Sequence, residues 1–297
     1  MAERTSVYPY SEIFYSAQGE GRYTGWPTAG LRFFTCNLQC NGFGQDDPTD
    51  ESSYDLPYQD INVEDYKTLE ELPVFEKGCD SSYSWSKKFK HLQRSGTADE
   101  IAQKLLDIIP FDDFANKNPM AMQDIHLCFT GGEPMMKKSQ QAVREILLAL
   151  RHLGKQPNNI TFETNGTKEL KDDFIEAIRK IPIHWSISPK LWNTAGEKSV
   201  RAFKPETIKS YQSAVKGSTG MLKFVCNGRK ESWQEIEDKI YQLRKIGVNF
   251  PVSIMPVGAT VEGQKLCDSD VATEAVARGY HISARVHTYI WGNVIGV

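Results

Sequence analysis

The sequence predicts an α/β fold in which parallel strands, joined by helices, form an open or partly closed barrel. Short apolar runs rich in Ile, Val and Phe alternate with amphipathic segments along most of the 297 residues. This alternation is typical of parallel strands with right-handed helical connections. The composition, with 40% hydrophobic and 25% charged residues, is that of a globular protein. We therefore expect a single domain over residues 1–297.

The predicted elements alternate along the chain. Strands are expected at residues 31–35, 125–129, 160–163, 183–187, 222–226, 252–255 and 281–286. Helices are expected at residues 97–109, 138–153, 170–180, 232–246 and 270–278. Thr97 followed by Glu100 predicts a capping box at the first helix. In a barrel of this kind the chemistry lies on loops at the carboxyl ends of the strands.

Two segments interrupt the alternation. Residues 42–91 contain many Asp, Pro, Ser and Tyr residues with weak periodicity, and residues 191–220 form a second irregular stretch. Loops of this length inside a compact domain are usually functional or disordered. We therefore expect two irregular inserts, the first of which contains Cys79.

Charge and composition exclude several classes of protein. The formal net charge of −3 argues against a dedicated duplex-DNA binder. No apolar run approaches the roughly 20 residues that span a bilayer, and the first residues carry no apolar signal core. The expected location is cytoplasmic. The six cysteines are then expected to be reduced thiols rather than disulfides.

Cys36 and Cys40 directly follow the first predicted strand, with three residues between them. This spacing, without a second pair nearby, does not match a zinc knuckle. An iron–sulfur cluster needs several thiolates that converge on one cage, and a loop at a strand end can supply them. Two unrelated cysteines explain the spacing equally well, so the pair alone assigns no metal.

Polar residues follow the strand at 125–129 in the order Thr130-Gly-Gly-Glu-Pro. The absence of a Cβ at Gly131 and Gly132 allows a ligand to approach the backbone closely. The carboxylate of Glu133 suits a ligand ammonium group. A tight turn with a solvated glutamate is the simpler alternative.

The next two predicted strands also end in polar residues. Glu163 and Asn165 end one strand, and Ser188, Pro189 and Lys190 end the next. Each set alone is typical of a turn. Because consecutive parallel strands end at the same rim, together they predict a site.

A glycine-rich segment, Gln18-Gly-Glu-Gly, lies near the start of the sequence. The Gln18 amide offers a donor and an acceptor, and the Glu20 carboxylate offers two acceptors. Such a pattern can read the edge of a heterocycle. A surface hairpin is the alternative.

These segments, in this order, resemble the 7-carboxy-7-deazaguanine synthase family of radical S-adenosylmethionine (SAM) enzymes. The strand followed by Cys36-x3-Cys40, and then Thr130-Gly-Gly-Glu-Pro, resemble the wider superfamily. Gln18-Gly-Glu-Gly, Glu163-Thr-Asn-Gly-Thr and Ser188-Pro-Lys resemble this family, and His287-Thr-Tyr is similar to its final motif. The resemblance covers residues 10–289 apart from the inserts and implies a partial, open TIM-like barrel.

The sequence departs from the family at the third cluster ligand. The family pattern is Cys-x3-Cys-x2-Cys, but Phe43 stands at the third position. Cys79-Asp-Ser matches the missing end, which places 38 residues rather than two between Cys40 and Cys79. A loop of that length can close, because closure entropy grows only logarithmically. The rival third ligands are Cys128, Cys226 and Cys267.

The resemblance implies three cofactors. A [4Fe-4S] cluster would be held by Cys36, Cys40 and Cys79, with SAM on the fourth iron, where it gives a 5′-deoxyadenosyl radical. Gly132 and Glu133 would contact the methionine part of SAM. The rest of SAM would be lined by Glu163, Asn165, Ser188, Pro189 and Lys190. Mg²⁺ would bind the hydroxyl of Ser81, since hard cations prefer oxygen ligands. The other reading of Ser81 is a cap for a helix over residues 82–92.

The implied substrate is 6-carboxy-5,6,7,8-tetrahydropterin. Its edge would be read by Ala17, Gln18, Gly19 and Glu20. Arg32 would bind the substrate carboxylate bidentately, and Thr130 and His287 would touch the substrate as well. The radical takes hydrogen from C6, and the ring then contracts with loss of ammonia to give 7-carboxy-7-deazaguanine.

The expected partners are this pterin and a reductase or flavodoxin-type electron donor, with a homodimer as the family's typical assembly. No nucleic acid or membrane is expected to bind. One alternative is a glycyl-radical activase of the same superfamily, which would share the cysteines but would not need Gln18-Gly-Glu-Gly. The other is a non-catalytic module with structural zinc on the three cysteines and His91 as the candidate fourth ligand.

Overall fold

The structure, a computed structural model, describes residues 6–110 and 126–296. Within these ranges the strands form one sheet in the order β3-β1-β2-β4-β5-β6-β7-β8-β9. Their bounds are β1 Val7–Ala17, β2 Pro27–Phe33, β3 Arg94–Thr97, β4 His126–Gly131, β5 Asn159–Thr164, β6 Ile183–Ile187, β7 Thr219–Cys226, β8 Val252–Pro256 and β9 His281–Ile282. Strand β2 and strands β4 to β9 are parallel, whereas β1 is antiparallel to both β2 and β3. The described sheet is open, with β3 and β9 at its edges, which confirms the predicted fold class.

The helices connect successive parallel strands. In the part of the chain that the structure describes, the α-helices are Pro57–Asp60, Ala98–Asp107, Lys137–His152, Asp172–Ile178, Trp192–Ala195, Ser199–Ala202, Pro205–Ala214, Lys230–Lys245, Val261–Lys265, Asp268–Ala277 and Val286–Trp291. The 3-10 helices are Gly21–Tyr23, Glu51–Ser53, Val63–Asp65, Leu69–Glu71, Ser82–Ser84 and Lys87–Leu92. The predicted capping box is present, with Thr97 accepting from the Glu100 amide. Ile125, the first residue of one predicted strand, lies outside the described residues.

Strands β1 and β3 are not predicted by the sequence pattern. Strand β1 pairs with β2 over most of its length and continues as a hairpin, in which the Gln18 amide donates to the Trp26 carbonyl at 2.8 Å. Polar residues of β1 such as Glu12 and Ser16 face a cavity and therefore interrupt the apolar pattern. Pro9 further weakens the strand signal.

Three other expectations need correction. Residues 191–220 are not irregular but contain three helices, the last of which is the crossover Pro205–Ala214. That helix buries Ile208 and Tyr211 and so shows little periodicity. The strand expected at 281–286 ends at Ile282, and Arg285 precedes a helix. Residues 82–92 form two 3-10 helices, and the Ser81 side chain makes no capping hydrogen bond.

The main core lies between the sheet and the helices. Four aromatic side chains from adjacent strands stack in a row across the outer face of the sheet: Phe33, Phe129, Phe162 and Trp185. Alternation along each strand then directs the intervening side chains to the opposite, concave face. On β4 these are Cys128 and Thr130, which face a cavity.

The first insert, residues 42–91, has a hydrophobic core of its own. Seven buried side chains form this cluster, six from the insert and Leu92 directly after it: Tyr58, Leu69, Leu72, Phe75, Tyr83, Phe89 and Leu92. The segment is irregular, as expected, because short 3-10 helices and one turn of α-helix make up its regular structure. Its ordered packing lets it serve as one wall of the cavity.

Candidate active site

A cavity of about 260 Å³ lies on the concave side of the sheet, at the carboxyl ends of the parallel strands. It is lined by sixteen of the eighteen predicted site residues: Ala17, Gln18, Gly19, Glu20, Arg32, Cys36, Cys40, Cys79, Ser81, Thr130, Gly132, Glu163, Asn165, Ser188, Lys190 and His287. The fold thus brings together residues that are up to 270 positions apart, from Ala17 to His287. Glu133 and Pro189 are buried beside the cavity and do not line it.

Three thiols meet at one side of this cavity. Cys36, Cys40 and Cys79 pack in the same small cluster, against Leu38 and Ala195. The insert returns to its starting point because the Gly78 amide donates to the Phe43 carbonyl at 2.7 Å. That hydrogen bond places Cys79 beside Cys40 despite the long intervening segment.

The rival cysteines lie elsewhere. Cys128 lines the cavity within 3.8 Å of the Gln18 amide nitrogen but is not part of the three-thiol cluster. Cys128 therefore faces the cavity and is not part of the main core. Cys226 is buried in the main core, and Cys267 packs against that core.

Burial keeps the three thiols protonated in the metal-free protein. It raises the pKa of Cys36 to about 12 and the pKa of Cys79 to about 11, and the pKa of Cys40 rises well above its usual value. The charge of Lys190 opposes these shifts. Since metals bind thiolates, any metal that these three thiols bind must displace protons.

The thiols are not arranged for a single metal ion. Within residues 6–110 and 126–296, no three His, Cys, Asp or Glu side chains are grouped to hold one ion. A multi-iron cage binds each thiolate at a different iron and so has a wider footprint. His91, the proposed fourth zinc ligand, is exposed and does not line the cavity.

The Gly-Gly-Glu turn supports the cysteine loop. The Gly132 amide donates to the Phe33 carbonyl at 3.1 Å, and the Glu133 amide donates to the Thr35 carbonyl at 2.8 Å. A Cβ on Gly132 would lie 2.1 Å from that Thr35 oxygen. Glycine is therefore required at position 132 because the Thr35 backbone approaches it closely, whether or not a ligand also does so.

The carboxylate of Glu133 is fully buried and engaged by the protein. It accepts from the Met135 amide at 2.8 Å, the Asn165 amide at 2.8 Å and the Thr164 hydroxyl at 2.7 Å. Burial raises the pKa of Glu133, although these hydrogen bonds oppose the shift. In this arrangement Glu133 ties the end of β4 to the end of β5 and presents no oxygen to the cavity.

A second carboxylate, Glu163, lies among the residues assigned to the substrate. It accepts from the Thr130 hydroxyl at 2.8 Å and from the Gln18 amide at 3.4 Å. The Gln18 oxygen accepts from the Gly19 amide at 2.9 Å, which fixes the orientation of the side chain. These contacts form a polar edge of alternating donors and acceptors, next to Ala17.

The ends of β5 and β6 lie beside the thiols. The side-chain amide of Asn165 is 4.0 Å from the Cys36 sulfur and donates to the Asn37 side chain at 3.2 Å. The Lys190 ammonium donates to the Ser188 hydroxyl at 3.0 Å. The positive charge of Lys190 acts on all three thiols, because it lowers the pKa of Cys36, Cys40 and Cys79 against the effect of burial.

Arg32 is held by the insert and by β1. Its Nε donates to the Glu12 carboxylate at 2.5 Å, and one Nη donates to the Ser81 hydroxyl at 3.3 Å. The guanidinium also lies over the Tyr83 ring at 5.9 Å. Burial would lower the pKa of Arg32, but Tyr83 and Glu12 outweigh it and raise the pKa.

Two buried cations that line the cavity are not among the residues predicted from the sequence. Lys223, in the middle of β7, and Arg285 both form ion pairs with Glu20. Burial would raise the pKa of Glu20, but these two charges hold that pKa well below its usual value. A lysine inside the apolar run of β7 was the available signal for Lys223. No signal marked Arg285, because its role depends on the turn after β9.

His287 closes the cavity from the other end of the chain. The Val286 amide donates to the Gly19 carbonyl at 2.9 Å, and a Cβ on Gly19 would lie 1.8 Å from the His287 Nδ1. That buried nitrogen has no hydrogen-bond partner among the described residues. Burial lowers the pKa of His287, so the ring is neutral and can offer one nitrogen to a ligand.

Comparison with known proteins gives a consistent result. No protein-family model matches the chain. The 7-carboxy-7-deazaguanine synthase of Halobacterium salinarum is 26% identical over 306 residues, which covers 96% of this chain and 91% of that protein. The Escherichia coli synthase is 22% identical and covers 95% and 98% of the two chains. The crystal structure of QueE from Escherichia coli matches with a TM-score of 0.49 at 16% identity over 95% of both chains.

Proposed function

We propose that this chain is a 7-carboxy-7-deazaguanine synthase, a carbon–nitrogen lyase of the radical SAM type. It converts 6-carboxy-5,6,7,8-tetrahydropterin to 7-carboxy-7-deazaguanine with loss of ammonia, a step in 7-deazaguanine biosynthesis. Similarity over almost the whole chain to proteins of this name supports the assignment. The observation that carries it is the meeting of three thiols and a polar, charged edge in one cavity.

The three thiols fit a [4Fe-4S] cluster. Cys36, Cys40 and Cys79 lie in one buried cluster, and the Leu38 amide is 3.4 Å from the Cys36 sulfur, so it can donate to that sulfur. Hydrogen bonds to sulfur and burial are the usual means by which a protein tunes such a centre. When bound, the reduced cluster and SAM supply the radical that takes hydrogen from C6 of the pterin.

SAM fits between the thiols and the strand ends. The backbone of Gly132 lines the cavity beside Cys36, and Asn165, Ser188 and Lys190 continue this wall. Glu133 acts by fixing the Asn165 amide, to which it is hydrogen-bonded, and Pro189 acts by restricting the backbone between its neighbours. The two residues that do not line the cavity thus shape its wall.

The pterin fits the opposite side. Gln18 and Thr130 present donors and acceptors that suit the edge of a pterin ring. Glu163, which the resemblance assigns to SAM, accepts from both of these residues and so stands where the two ligands would meet. The cations Arg32 and Lys223 line the same cavity and suit the substrate carboxylate. His287 lies against Gly19, and its Nδ1, which has no hydrogen-bond partner among the described residues, can meet the substrate.

Ser81 is the proposed Mg²⁺ ligand. Its hydroxyl lines the cavity and donates to the Asp80 carboxylate at 3.2 Å, so two hard oxygen donors lie together beside Cys79. Mg²⁺ is usually held by one or two such groups, with water and substrate oxygens completing its shell.

The remaining proposals concern the setting of the enzyme. A reductase or flavodoxin-type protein is proposed as the electron donor, a homodimer as the assembly, and the cytoplasm as the location, because a reduced cluster requires a reducing compartment. Within residues 6–110 and 126–296, no helix is long and apolar enough to cross a membrane.

The test is an anaerobic turnover assay. The protein is reconstituted with iron and sulfide and supplied with dithionite, SAM, Mg²⁺ and 6-carboxytetrahydropterin. We expect both 5′-deoxyadenosine and 7-carboxy-7-deazaguanine by mass spectrometry, and neither from Cys36→Ala. Deoxyadenosine without the deazaguanine would refute the substrate and favour an activase, and neither product from protein with an intact cluster would refute the enzyme.

A further inference from the structure

Four segments that are distant in sequence meet on the side chain of Arg285. Its Nε donates to Glu20 at 3.2 Å, and one Nη donates to Asp80 at 2.6 Å. The same Nη donates to the Asn293 side chain at 3.2 Å, and the other Nη donates to the Gly258 carbonyl at 2.9 Å. The guanidinium therefore joins the first hairpin, the insert, the loop after β8 and the final turn.

The two carboxylates held by Arg285 belong to different parts of the site. Glu20 lies in the segment assigned to the pterin edge, and Lys223 pairs with it from β7. Asp80 lies between Cys79 and Ser81, the proposed ligands of the cluster and of Mg²⁺. Arg285 is 7% exposed as a residue, so water screens these contacts weakly.

We propose that Arg285 is a positioning residue that couples substrate binding to the geometry of the Cys79-Asp80-Ser81 segment. The hydrogen bond to Asp80 holds the Arg285 guanidinium in the orientation in which it also donates to Glu20. A change at Asp80 therefore shifts the guanidinium, and the guanidinium in turn shifts Glu20 at the pterin edge. This inference rests on the proposed function, because it assigns the pterin to the Glu20 side of the cavity.

An arginine is required at this place. Its planar guanidinium carries five N–H donors in fixed directions, so it can serve Glu20, Asp80 and the Gly258 carbonyl at the same time. A lysine would keep the charge but has a single nitrogen at the end of a flexible stem. Arg285→Lys therefore separates the directional contacts from the net charge.

The coupling is tested by binding 6-carboxypterin, a fluorescent probe, to the cluster-free and Mg²⁺-free protein. We expect Arg285→Lys to weaken binding about tenfold, as the loss of one charge-assisted hydrogen bond would. Asp80→Asn, which keeps the shape of the side chain, should weaken binding several-fold although Asp80 is not assigned to the pterin edge. The double variant should bind no more weakly than Arg285→Lys alone, because both changes break the same link.

The control is Arg179→Lys, which makes the same exchange at an exposed arginine that pairs with Glu176 and does not line the cavity, and it should bind as the wild type does. Equal binding by wild type and Arg285→Lys, or additive effects of the two changes, would overturn the coupling alone. Failure of the wild type to bind the probe would overturn the substrate assignment itself. Thermal unfolding of each variant, followed in parallel, identifies the folded fraction so that affinities refer to folded protein.

Discussion

At the scale of single residues, the cavity is built from charges that neutralise one another across different elements. Arg32 pairs with Glu12, and Arg285 pairs with Asp80. Such pairs add little net stability, because desolvation offsets most of their attraction. Removal of one partner is nevertheless costly, because it leaves the other charge without compensation, and so the pairs favour one arrangement of the elements. The charges thus fix the positions of groups that a charged substrate would meet.

Cys79 is the residue on which the proposed cluster depends most. Cys79→Ala is expected to abolish iron binding as completely as Cys36→Ala, because three thiolates are needed to hold the cage and leave one iron open for SAM. The measurement is iron content and visible absorbance after anaerobic reconstitution, with circular dichroism to show that the fold persists. Cys267→Ala, at a thiol packed against the main core, is the control and should keep its iron.

A full cluster in Cys79→Ala, together with loss of iron in Cys128→Ala, would move the third ligand to β4. That result would also require the Cys128 sulfur to turn from the Gln18 side of the cavity toward the other two thiols.

At the scale of elements, the amino-terminal end of the sheet is closed by histidines. His126 is held between the hydroxyls of Thr28 and Thr161, each at 2.8 Å. His184 lies 2.9 Å from the Thr219 hydroxyl. The Tyr23 ring packs against both imidazoles, at 4.8 and 5.3 Å between ring centroids. The candidate active site lies at the carboxyl ends of the strands, and this packed polar layer lies at their amino ends.

This layer should make the protein sensitive to acid. Burial lowers the pKa of both His126 and His184 from 6.5 to about 4. Unfolded histidines titrate at about 6.5, so their contribution to stability is fully present above that pH and is lost as the pH falls toward about 4. We expect the free energy of unfolding, measured by urea titration, to fall across this range.

The double variant His126→Gln/His184→Gln should be less stable than the wild type near neutral pH. Its free energy of unfolding should fall less between pH 6.5 and about 4, the range set by the unfolded and folded pKa values of the two histidines. His152→Gln, at an exposed helix end, should leave the pH dependence unchanged. An unaltered slope in the combined variant would show that other groups control the acid response.

At the scale of the whole molecule, two hydrophobic cores stabilise two parts of one site. The larger core joins the sheet to its helices, and the smaller core belongs to the insert. The insert contributes Cys79, Ser81 and Tyr83 to the cavity, and Ile295 of the final turn packs against its core. We therefore expect the insert to open without unfolding of the sheet, as separately packed units of a protein often do.

Phe89→Ala tests this division. Phe89 is fully buried in the insert core, and its truncation should cost about 3–5 kcal/mol there. We expect faster proteolysis within residues 42–91 and loss of iron, while the main thermal transition changes little. Phe174→Ala, at a comparably buried phenylalanine in the main core, should instead lower the main transition. A single lowered transition for both variants would mean that the two cores unfold together.

The sequence alone determined the α/β class, most of the parallel strands and the sets of polar residues at their ends. These features are local, because apolar periodicity and turn residues are read over a few positions. The position of the third thiol after the long insert also came from a local motif, Cys79-Asp-Ser.

The tertiary structure decided which atoms face the cavity. Glu133 and Glu163 look alike in sequence at consecutive strand ends, yet one is enclosed by three hydrogen bonds and the other lines the site. Lys223 and Arg285 became site residues only when β7 and the final turn met Glu20. The physical reason is that burial and ion pairing are properties of surroundings supplied by distant segments, and a local pattern does not contain them.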